Sequence, residues 1–533
     1  MVQAGGYPLQ ERLSDYNFLN LDLAVNMNII LGMIPVATAT VILLSVYAIA
    51  VIYLVFKGFK QTQNMNDYAV GSISFSPAFV GLSLAASMTS AATFIINPGL
   101  IGTYGISAFI SYGLALPIAA VFSLILLTKG FRKFGSKVAA LTMAQWMGNR
   151  YSSKGFALFF AFLSLLLITF IVLICVGISQ VLSKALDVDA VWVLIGVVVF
   201  IFGYMMFGGA NSMVYTNAIQ AISMLVVAII LIGSGYEYLE NGINGFFEKL
   251  NSIDPILTKP LNPKSPIFRD YFEIIFCQMV VGIAIVCQPH ILTKSLLLKK
   301  ESDVNRYLVV GAIVQFLFFL VVIAGLYARI EFPTLMLDGS PIAPDGLIST
   351  YVVSKFPVYI SIIIIFGLIS AGMSTLEGLI QSLSTTITSD ILLKISPKNM
   401  RKKLTKPKTG MLVNKLVIIL LAVVSFIFSY QQLINPNMSV AIFAQNGVYA
   451  YFSCAFIPVL FGMFFQKTNP KAVYFAAFTA LIVYFSIYYG GLTPYMQGEV
   501  KNPAISSTIA IISSSIVGLI FYVVLPKQET NEV

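Results

Sequence analysis

Long apolar runs separated by short polar segments repeat along the whole 533-residue chain. A helix of about 20 apolar residues is long enough to cross the hydrocarbon core of a bilayer. The runs predict thirteen transmembrane helices, near residues 28–56, 74–104, 107–128, 156–183, 190–207, 213–235, 272–292, 307–330, 358–390, 412–433, 437–465, 472–490 and 504–525. We therefore predict an all-α integral membrane protein.

Composition and charge support this prediction and add an orientation. Hydrophobic residues make up 58% of the chain and charged residues only 10%, whereas soluble proteins carry about 25% charged residues. With the amino terminus outside and the carboxyl terminus inside, 23 of the 32 basic residues fall in inner loops, as the positive-inside rule requires. We expect a multi-pass protein of the cell membrane. The inner loops explain its net charge of +10, so no nucleic-acid partner is expected.

Several classes of protein are disfavoured by what the sequence lacks. The four cysteines lie in apolar runs without CxxC spacing, and there is one histidine, so disulfide and zinc sites are not expected. No catalytic motif is present, and soluble segments do not exceed about 35 residues. We predict that the protein is not an enzyme and has no obligate protein partner, which leaves a transporter, a channel, a solute sensor or a scaffold.

One predicted helix, LSLAASMTSAATFIINPG from Leu82 to Gly99, is poorly suited to face lipid. Its middle is rich in small hydroxyl residues, namely Ser83, Ser87, Thr89, Ser90 and Thr93. Such residues face other helices or a cavity. The Asn97-Pro98-Gly99 sequence that follows is expected to loosen the helix. Close helix packing with a proline kink is the alternative interpretation.

A second unusual segment, ISAGMSTLEGLIQSLSTTITSD, starts at Ile369. At helical spacing its small and polar residues form one stripe, made of Ala371, Ser374, Gly378, Gln381 and Thr385. Glu377 borders this stripe and is the only acidic residue well inside a predicted span. A carboxylate there costs about 2.5–3.5 kcal/mol to insert, which indicates ion or proton handling. A hydrogen-bonded structural carboxyl is the alternative.

Hydroxyls and freed backbone carbonyls are hard oxygen ligands suited to an alkali cation. Two polar or broken helices that face each other near the middle of the membrane are typical of the ion site of an inverted-repeat transporter. The two segments are therefore predicted to bind a cation between them.

Three motifs together resemble the sodium/solute symporter family, particularly its proline, pantothenate and monocarboxylate branches. The first is L-S-x-x-A-S-x-x-S from Leu82 to Ser90, continuing to Pro98-Gly99. The second is Ala371-x-x-Ser374-Thr375-Leu376, followed by Ser384, Thr388 and Asp390. The third is Phe207-Gly208-Gly209 with Tyr215-Thr216-Asn217-x-x-Gln220, which resembles the family's GG...WTDxxQ signature. The resemblance covers nearly the whole chain.

The resemblance implies a LeuT-type fold of two five-helix inverted repeats. The repeats would span 74–235 and 272–465, joined by an outer loop at 236–271. Residues 1–60 would supply an amino-terminal segment and an extra first helix, and residues 466–533 two further helices and a short cytoplasmic tail.

The resemblance also implies a secondary active symporter that uses inward sodium flow to import a small solute by alternating access. Na⁺ would be the co-transported ion. Its site would use backbone carbonyls of Ala86, Thr89 and Ala371 and the side-chain oxygens of Ser374 and Thr375.

Two departures from the family pattern concern charge. The signature's Asp is Asn217 here, and Glu377-Gly378 stands where members with a second sodium site place two serines. One acid is lost and another gained at positions that the family's fold places close together. We predict that Glu377 and Asn217 support a second cation, either sodium or a proton.

The solute is expected to be carboxylate-bearing, similar to pantothenate or a monocarboxylate, or else neutral. Acids that sugar and proline carriers use in their pockets are absent, since the matching positions are Gly113 and Met88. Predicted substrate-binding residues are Ser90, Thr93, Gln278, Gln445 and Asn446. His290, in a Pro-His pair found in related carriers, is either a solute contact or an ordinary residue at a helix end.

Two other functions remain open from the sequence. A proton-coupled carrier would use Glu377 as its titrating group. A solute sensor on a transporter fold would need a separate signalling partner, because only PKQETNEV follows Leu525.

Overall fold

The computed structural model describes residues 35–72, 75–138, 140–298, 300–435, 439–465 and 467–526. The amino-terminal segment, the start of the helix predicted at 28–56 and the end of the carboxyl-terminal tail lie outside the described residues. Across the described ranges the protein is mostly helical.

Ten helices form a central group that we number core helices 1 to 10. In order they are Pro77–Met88 with Ala92–Tyr104, Ile106–Phe131, Lys154–Leu186, Ala190–Met205, Ala210–Leu239, Phe272–Ile285 with Pro289–Leu297, Val304–Glu331, Val358–Ile395, Pro407–Ile434 and Val440–Phe464. Val36–Phe59 precedes them, and Pro470–Gly490 and Pro503–Val524 follow.

Shorter elements connect these helices. They are the helices Met65–Val70, Met143–Arg150, Gly242–Ile253, Leu347–Lys355 and Lys398–Leu404. A small antiparallel hairpin pairs Met336–Leu337 with Ser340–Pro341. Its two-residue turn, Asp338-Gly339, has positive φ at both positions, as a tight hairpin turn with right-handed strand twist requires.

The predicted number of thirteen spans is not confirmed. Each predicted window contains a helix, but within the described residues twelve spans are long and apolar enough, counting each bent pair as one. The exception is core helix 4, which has 16 residues. At 1.5 Å per residue it is about 24 Å long, shorter than a hydrocarbon core of about 30 Å.

Core helix 1 is broken at its hydroxyl-rich segment rather than at its proline. Its first half ends at Met88, Thr89 has an extended backbone, and the two halves meet at 58°. Ser90 Oγ accepts the N–H of Ala92 (3.1 Å), which caps the second half. At Pro98 the chain stays helical, because a π-helical turn over Ala92–Ile96 accommodates the missing N–H. The expectation that Asn97-Pro98-Gly99 would loosen the helix is met by this wider π-helical turn, but the helix breaks at Thr89 and not at the proline.

Gly99 is needed for close backbone packing. A Cβ at this position would collide with the carbonyl oxygen of Pro344, in the turn Pro344–Gly346. A Cβ at Gly325 of core helix 7 would likewise collide with the carbonyl oxygen of Pro98. The second half of core helix 1 is thus fixed from two sides, which holds the break in place.

Burial separates the interior helices from those that face lipid. In the most apolar 18-residue stretch of core helices 8 and 10, 67% and 83% of the residues are buried inside the protein. The corresponding share is 28% for both Val36–Phe59 and core helix 9. Core helix 8 therefore lies at the centre of the bundle, beside the break in core helix 1.

Candidate functional site

Five oxygen atoms converge where the break in core helix 1 faces core helix 8. Ser374 Oγ lies 2.7 Å from the carbonyl oxygen of Ala86 and 3.1 Å from that of Ala371. Thr375 Oγ1 lies 3.2 Å from the carbonyl of Thr89 and 3.5 Å from that of Ala371. All five residues are fully buried. The structure thus brings together every residue predicted to hold sodium.

The local sequence explains why these oxygens are available. Because the helix ends at Met88, the carbonyls just before the break lose the partners that a continuous helix would supply. Ser374 and Thr375 are short side chains that reach across to them. From core helix 7, Gln315 Nε2 donates to Thr89 Oγ1 (2.8 Å) and fixes the side chain at the break. The result is a compact shell of neutral oxygens, the ligand type that a hard cation prefers.

Glu377, two residues after Thr375, lies in a different environment. Its carboxylate accepts hydrogen bonds from Tyr204 OH and Thr216 Oγ1, both at 2.6 Å, and from Gln220 Nε2 at 3.1 Å. Gln220 also donates to Tyr47 OH (2.7 Å), on the helix that precedes the core. Glu377 is fully buried.

The Asn217 amide links this carboxylate to a buried ammonium group. We assign the amide orientation in which its nitrogen donates to Glu377 Oε2 (3.1 Å) and Gln220 Oε1 (3.0 Å). Its oxygen then accepts from Lys294 Nζ (2.9 Å) and lies 3.0 Å from Ser87 Oγ. The opposite orientation would place an amide oxygen against a carboxylate and an NH₂ group against an ammonium.

Lys294 is one of the 23 basic residues that the sequence placed in inner loops, and for this residue the placement was wrong. The residue lies in the second half of core helix 6, is 3% exposed, and donates to Ser83 O (2.9 Å) and Ser83 Oγ (2.7 Å). The predicted span ended at residue 292, too early, because core helix 6 bends by 55° before Pro289 and continues to Leu297. Glu377 and Asn217 are therefore close together, as predicted, and a lysine completes their surroundings.

A cavity of about 80 Å³ lies on the other side of the break, between core helices 1, 2, 3, 6, 7 and 10. Its polar lining residues are Ser90, Thr93, Asn97, Gln288, His290 and Gln445, together with Tyr112 and Tyr449. Phe170 and Phe319 contribute apolar surface. Among the described residues that line it, no side chain is Asp, Glu, Lys or Arg.

Three of the predicted substrate-binding residues line this cavity and two do not. Ser90, Thr93 and Gln445 are in its wall. Gln278 is buried elsewhere in core helix 6. Asn446 faces the added helix Pro470–Gly490, where it bonds Tyr484 OH (3.2 Å) and Tyr489 OH (3.0 Å). Neighbours on a helix point about 100° apart, and here Gln445 faces the cavity while Asn446 faces the added helix.

Several buried polar atoms in the cavity wall have no hydrogen-bond partner among the described residues. Within the described part of the chain, Asn97 Oδ1, Gln288 Oε1 and His290 Nδ1 are buried without a hydrogen-bond partner. A buried polar atom left unsatisfied costs about 1–3 kcal/mol. Atoms of this kind are what a polar solute or ordered water would satisfy.

The start of core helix 10, which carries Gln445, is held from outside the membrane-spanning segments. Asp345 accepts hydrogen bonds from Ser439 Oγ (2.8 Å) and from the N–H of Val440 (3.1 Å), and so caps this helix. Burial raises the pKa of the Asp345 carboxyl above its usual range, while these hydrogen bonds oppose the rise.

Sequence reasoning missed Lys294, Asn97, Gln288 and Tyr204. A signal for Lys294 was present, because the run from Gln278 to Leu298 is apolar on both sides of it and holds no other Lys, Arg, Asp or Glu. Tyr204 carried no such signal, since only the fold brings core helix 4 against Glu377.

A sequence model described as the Sodium:solute symporter family matches residues 68–483, which is most of the chain. The protein belongs to this family. The symporter is 26% identical over 473 residues to the sodium/pantothenate symporter of Escherichia coli (strain K12), covering 87% of this chain and 92% of that protein. It is 24% identical over 465 residues to the sodium/proline symporter of Staphylococcus aureus (strain Newman), covering 83% and 85%.

A solved structure of a Na⁺-coupled sialic acid symporter, in a substrate-bound outward-open state, has the same fold. The TM-score is 0.73 at 18% identity, covering 93% of this chain and 99% of that one. The LeuT-type prediction is confirmed. The symporter is a multi-pass membrane protein that couples sodium to the transport of a small solute, and is not an enzyme.

Proposed function

We propose that the symporter imports a small carboxylate-bearing solute that also carries hydroxyl or amide groups, driven by sodium bound between core helices 1 and 8. The observation that carries the proposal is the convergence of Ser374 and Thr375 on the carbonyls at the break. Sodium would be held by Ala86, Thr89, Ala371, Ser374 and Thr375, and the solute by the adjacent cavity.

Coupling follows from where the sodium would lie. The shell takes two carbonyls from core helix 1 and three oxygens from core helix 8, so it is complete only while these helices are close together. Ser90, the next residue after Thr89, and Thr93, one helical turn further on, lie on the cavity side of the break. Sodium that orders the break would therefore also order this wall of the cavity, and each ligand would strengthen binding of the other.

Support for a carboxylate comes from two half-helices that begin at the cavity. The second half of core helix 1 starts beside Ser90, and the second half of core helix 6 starts beside Gln288. The N-terminal end of a helix carries a partial positive charge, and broken helices in transporters present such ends to anionic groups. The cavity supplies this attraction without a lysine or arginine.

Support for neutral polar groups on the solute comes from Asn97 Oδ1 and Gln288 Oε1, which need donors. Two of the relatives are sodium/pantothenate symporters, so pantothenate is the first solute to test. Another is a sodium/proline symporter, so proline is the second.

The test is uptake of radiolabelled pantothenate and proline into proteoliposomes with and without an inward sodium gradient. We expect sodium-dependent uptake of pantothenate and competition by other small hydroxy or amide carboxylates. Gln288→Leu should raise the KM for the solute, because it removes a polar contact from the cavity, without changing sodium binding in the absence of solute.

Asn446→Leu is the matched control, since Asn446 faces the added helix and should leave the KM unchanged. Sodium-dependent uptake of proline or a neutral polyol, with no effect of carboxylates, would contradict the proposed solute class. Equal uptake with and without an inward sodium gradient would contradict the proposed sodium site.

A further inference from the structure

Lys294 is a basic residue buried inside the protein that the proposed sodium and solute sites do not use. Its ammonium group lies 2.7 Å from Ser83 Oγ, 2.9 Å from Ser83 O and 2.9 Å from the Asn217 amide oxygen. Three oxygens therefore receive its three N–H bonds. These are a carbonyl, a hydroxyl and an amide, the same kinds of oxygen that would ligate a hard metal cation.

The counter-charge to this ammonium is Glu377. The Asn217 amide bridges the two groups, accepting from Lys294 and donating to the carboxylate. The carboxylate also accepts from Tyr204, Thr216 and Gln220. An isolated buried charge of either sign would be very costly, whereas a paired and hydrogen-bonded cluster is tolerated. The ammonium of Lys294 and the carboxylate of Glu377 balance each other, so the cluster needs no further cation to be neutral.

We propose that Lys294 is a tethered cation that fills the position beside Glu377 and Asn217, so that the symporter carries a single mobile sodium ion. The inference rests on the proposed sodium site, which holds that one ion. It sharpens the prediction of a second cation at Glu377 and Asn217: the second cation is the ammonium of Lys294 and is not transported.

A smaller polar cavity gives access to this position. Its volume is about 20 Å³, and it is lined by Lys294, Gly378, Gln381 and Thr385, among others. Shortening the lysine side chain would open the three oxygens around its ammonium, and the carboxylate beyond Asn217, to ions from this cavity. Removal of Lys294 is therefore expected to create a sodium site that depends on Glu377.

The test is the number of sodium ions bound per purified symporter, measured by equilibrium binding of radiolabelled sodium to the full-length chain in nanodiscs. We expect one ion for the wild type, two for Lys294→Ala, and one again for Lys294→Ala/Glu377→Gln. Lys300→Ala is the control, because Lys300 is exposed in the segment after core helix 6, and it should bind one ion.

Two ions bound to the wild type, or one ion bound to a folded Lys294→Ala variant, would overturn the tethered cation. No sodium bound to the wild type would instead refute the proposed sodium site, so the two failures are distinct. If Lys294→Ala does not fold, the wild-type count decides: one ion supports the proposal and two overturn it.

Discussion

Core helix 8 carries two oxygen-rich centres only two residues apart, and they are built in opposite ways. At Ser374 and Thr375 the ligands are neutral hydroxyls facing carbonyls, with no charged side chain bonded to them among the described residues. At Glu377 a carboxylate is surrounded by donors, and an ammonium lies beyond the bridging amide. The first centre consists of neutral oxygens only, and the second already contains a cationic side chain.

The difference shows that similar oxygen ligands can hold either a cation that binds and leaves or a cationic side chain that stays in place. Neutral oxygens at a helix break can bind a cation and release it without leaving a buried charge behind. A buried carboxylate that released its cation would be left uncompensated, which is costly. A covalently attached ammonium avoids this cost, because it cannot leave.

The largest expected effect comes from breaking the charged centre on one side only. Glu377→Gln leaves the Lys294 ammonium buried without its counter-charge, and we expect a loss of about 3–5 kcal/mol in stability. Lys294→Met/Glu377→Gln removes both charges and should recover most of this loss. Thermal unfolding of the two variants in detergent measures both effects. Equal destabilisation in the single and double variants would show that the two residues are not coupled.

A smaller effect is expected from disturbing the break that shapes the neutral centre. Gly99→Ala places a methyl group against the carbonyl of Pro344, and overpacking of this kind costs about 1–3 kcal/mol. Gly346→Ala, in the same turn as Pro344 but facing open space, is the control. Thermal unfolding of both variants is the measurement. A Gly99→Ala protein as stable as the control would contradict the close packing described for the second half of core helix 1.

The smallest effect should come from the residue that supports the neutral centre without being a ligand. Gln315→Leu removes the hydrogen bond to Thr89 Oγ1, worth about 1 kcal/mol, so sodium affinity should fall about fivefold. Gln180→Leu, on core helix 3, should leave sodium affinity unchanged. Sodium titration of both variants decides between them. A Gln315→Leu variant with wild-type affinity would mean that Thr89 is held in place by its backbone alone.

The neutral centre could be predicted from the sequence, and the charged centre only in part. Small hydroxyl residues at helical spacing mark a face that cannot favour lipid, so the two segments and their five sodium residues follow from local pattern and family resemblance. Glu377 stands out because an acid in an apolar run is rare. Its partner Tyr204 does not, since Tyr204 is an ordinary residue until the fold brings core helix 4 against Glu377. Lys294 is marked only by being the one Lys, Arg, Asp or Glu in an otherwise uncharged run, and the sequence does not show that it lies near Glu377.

The position of the helix break shows the same limit. Pro98 is the strongest helix breaker in the segment from Leu82 to Gly99. A π-helical turn nevertheless accommodates it, and the helix breaks at Thr89. Which of two weak points opens depends on what satisfies the freed backbone groups, and here Ser90, Ser374 and Thr375 do so from short range. Tertiary contacts of this kind are not visible in local sequence.

The central claim is that the neutral centre holds the transported sodium. It is tested most directly by equilibrium binding of radiolabelled sodium to Ser374→Ala/Thr375→Ala, beside Ser370→Ala, a serine one turn away that bonds Ser223 instead. The account predicts saturable sodium binding to the wild type and to Ser370→Ala, and loss of that binding in the double variant. Saturable binding of wild-type affinity in a folded Ser374→Ala/Thr375→Ala protein would contradict it.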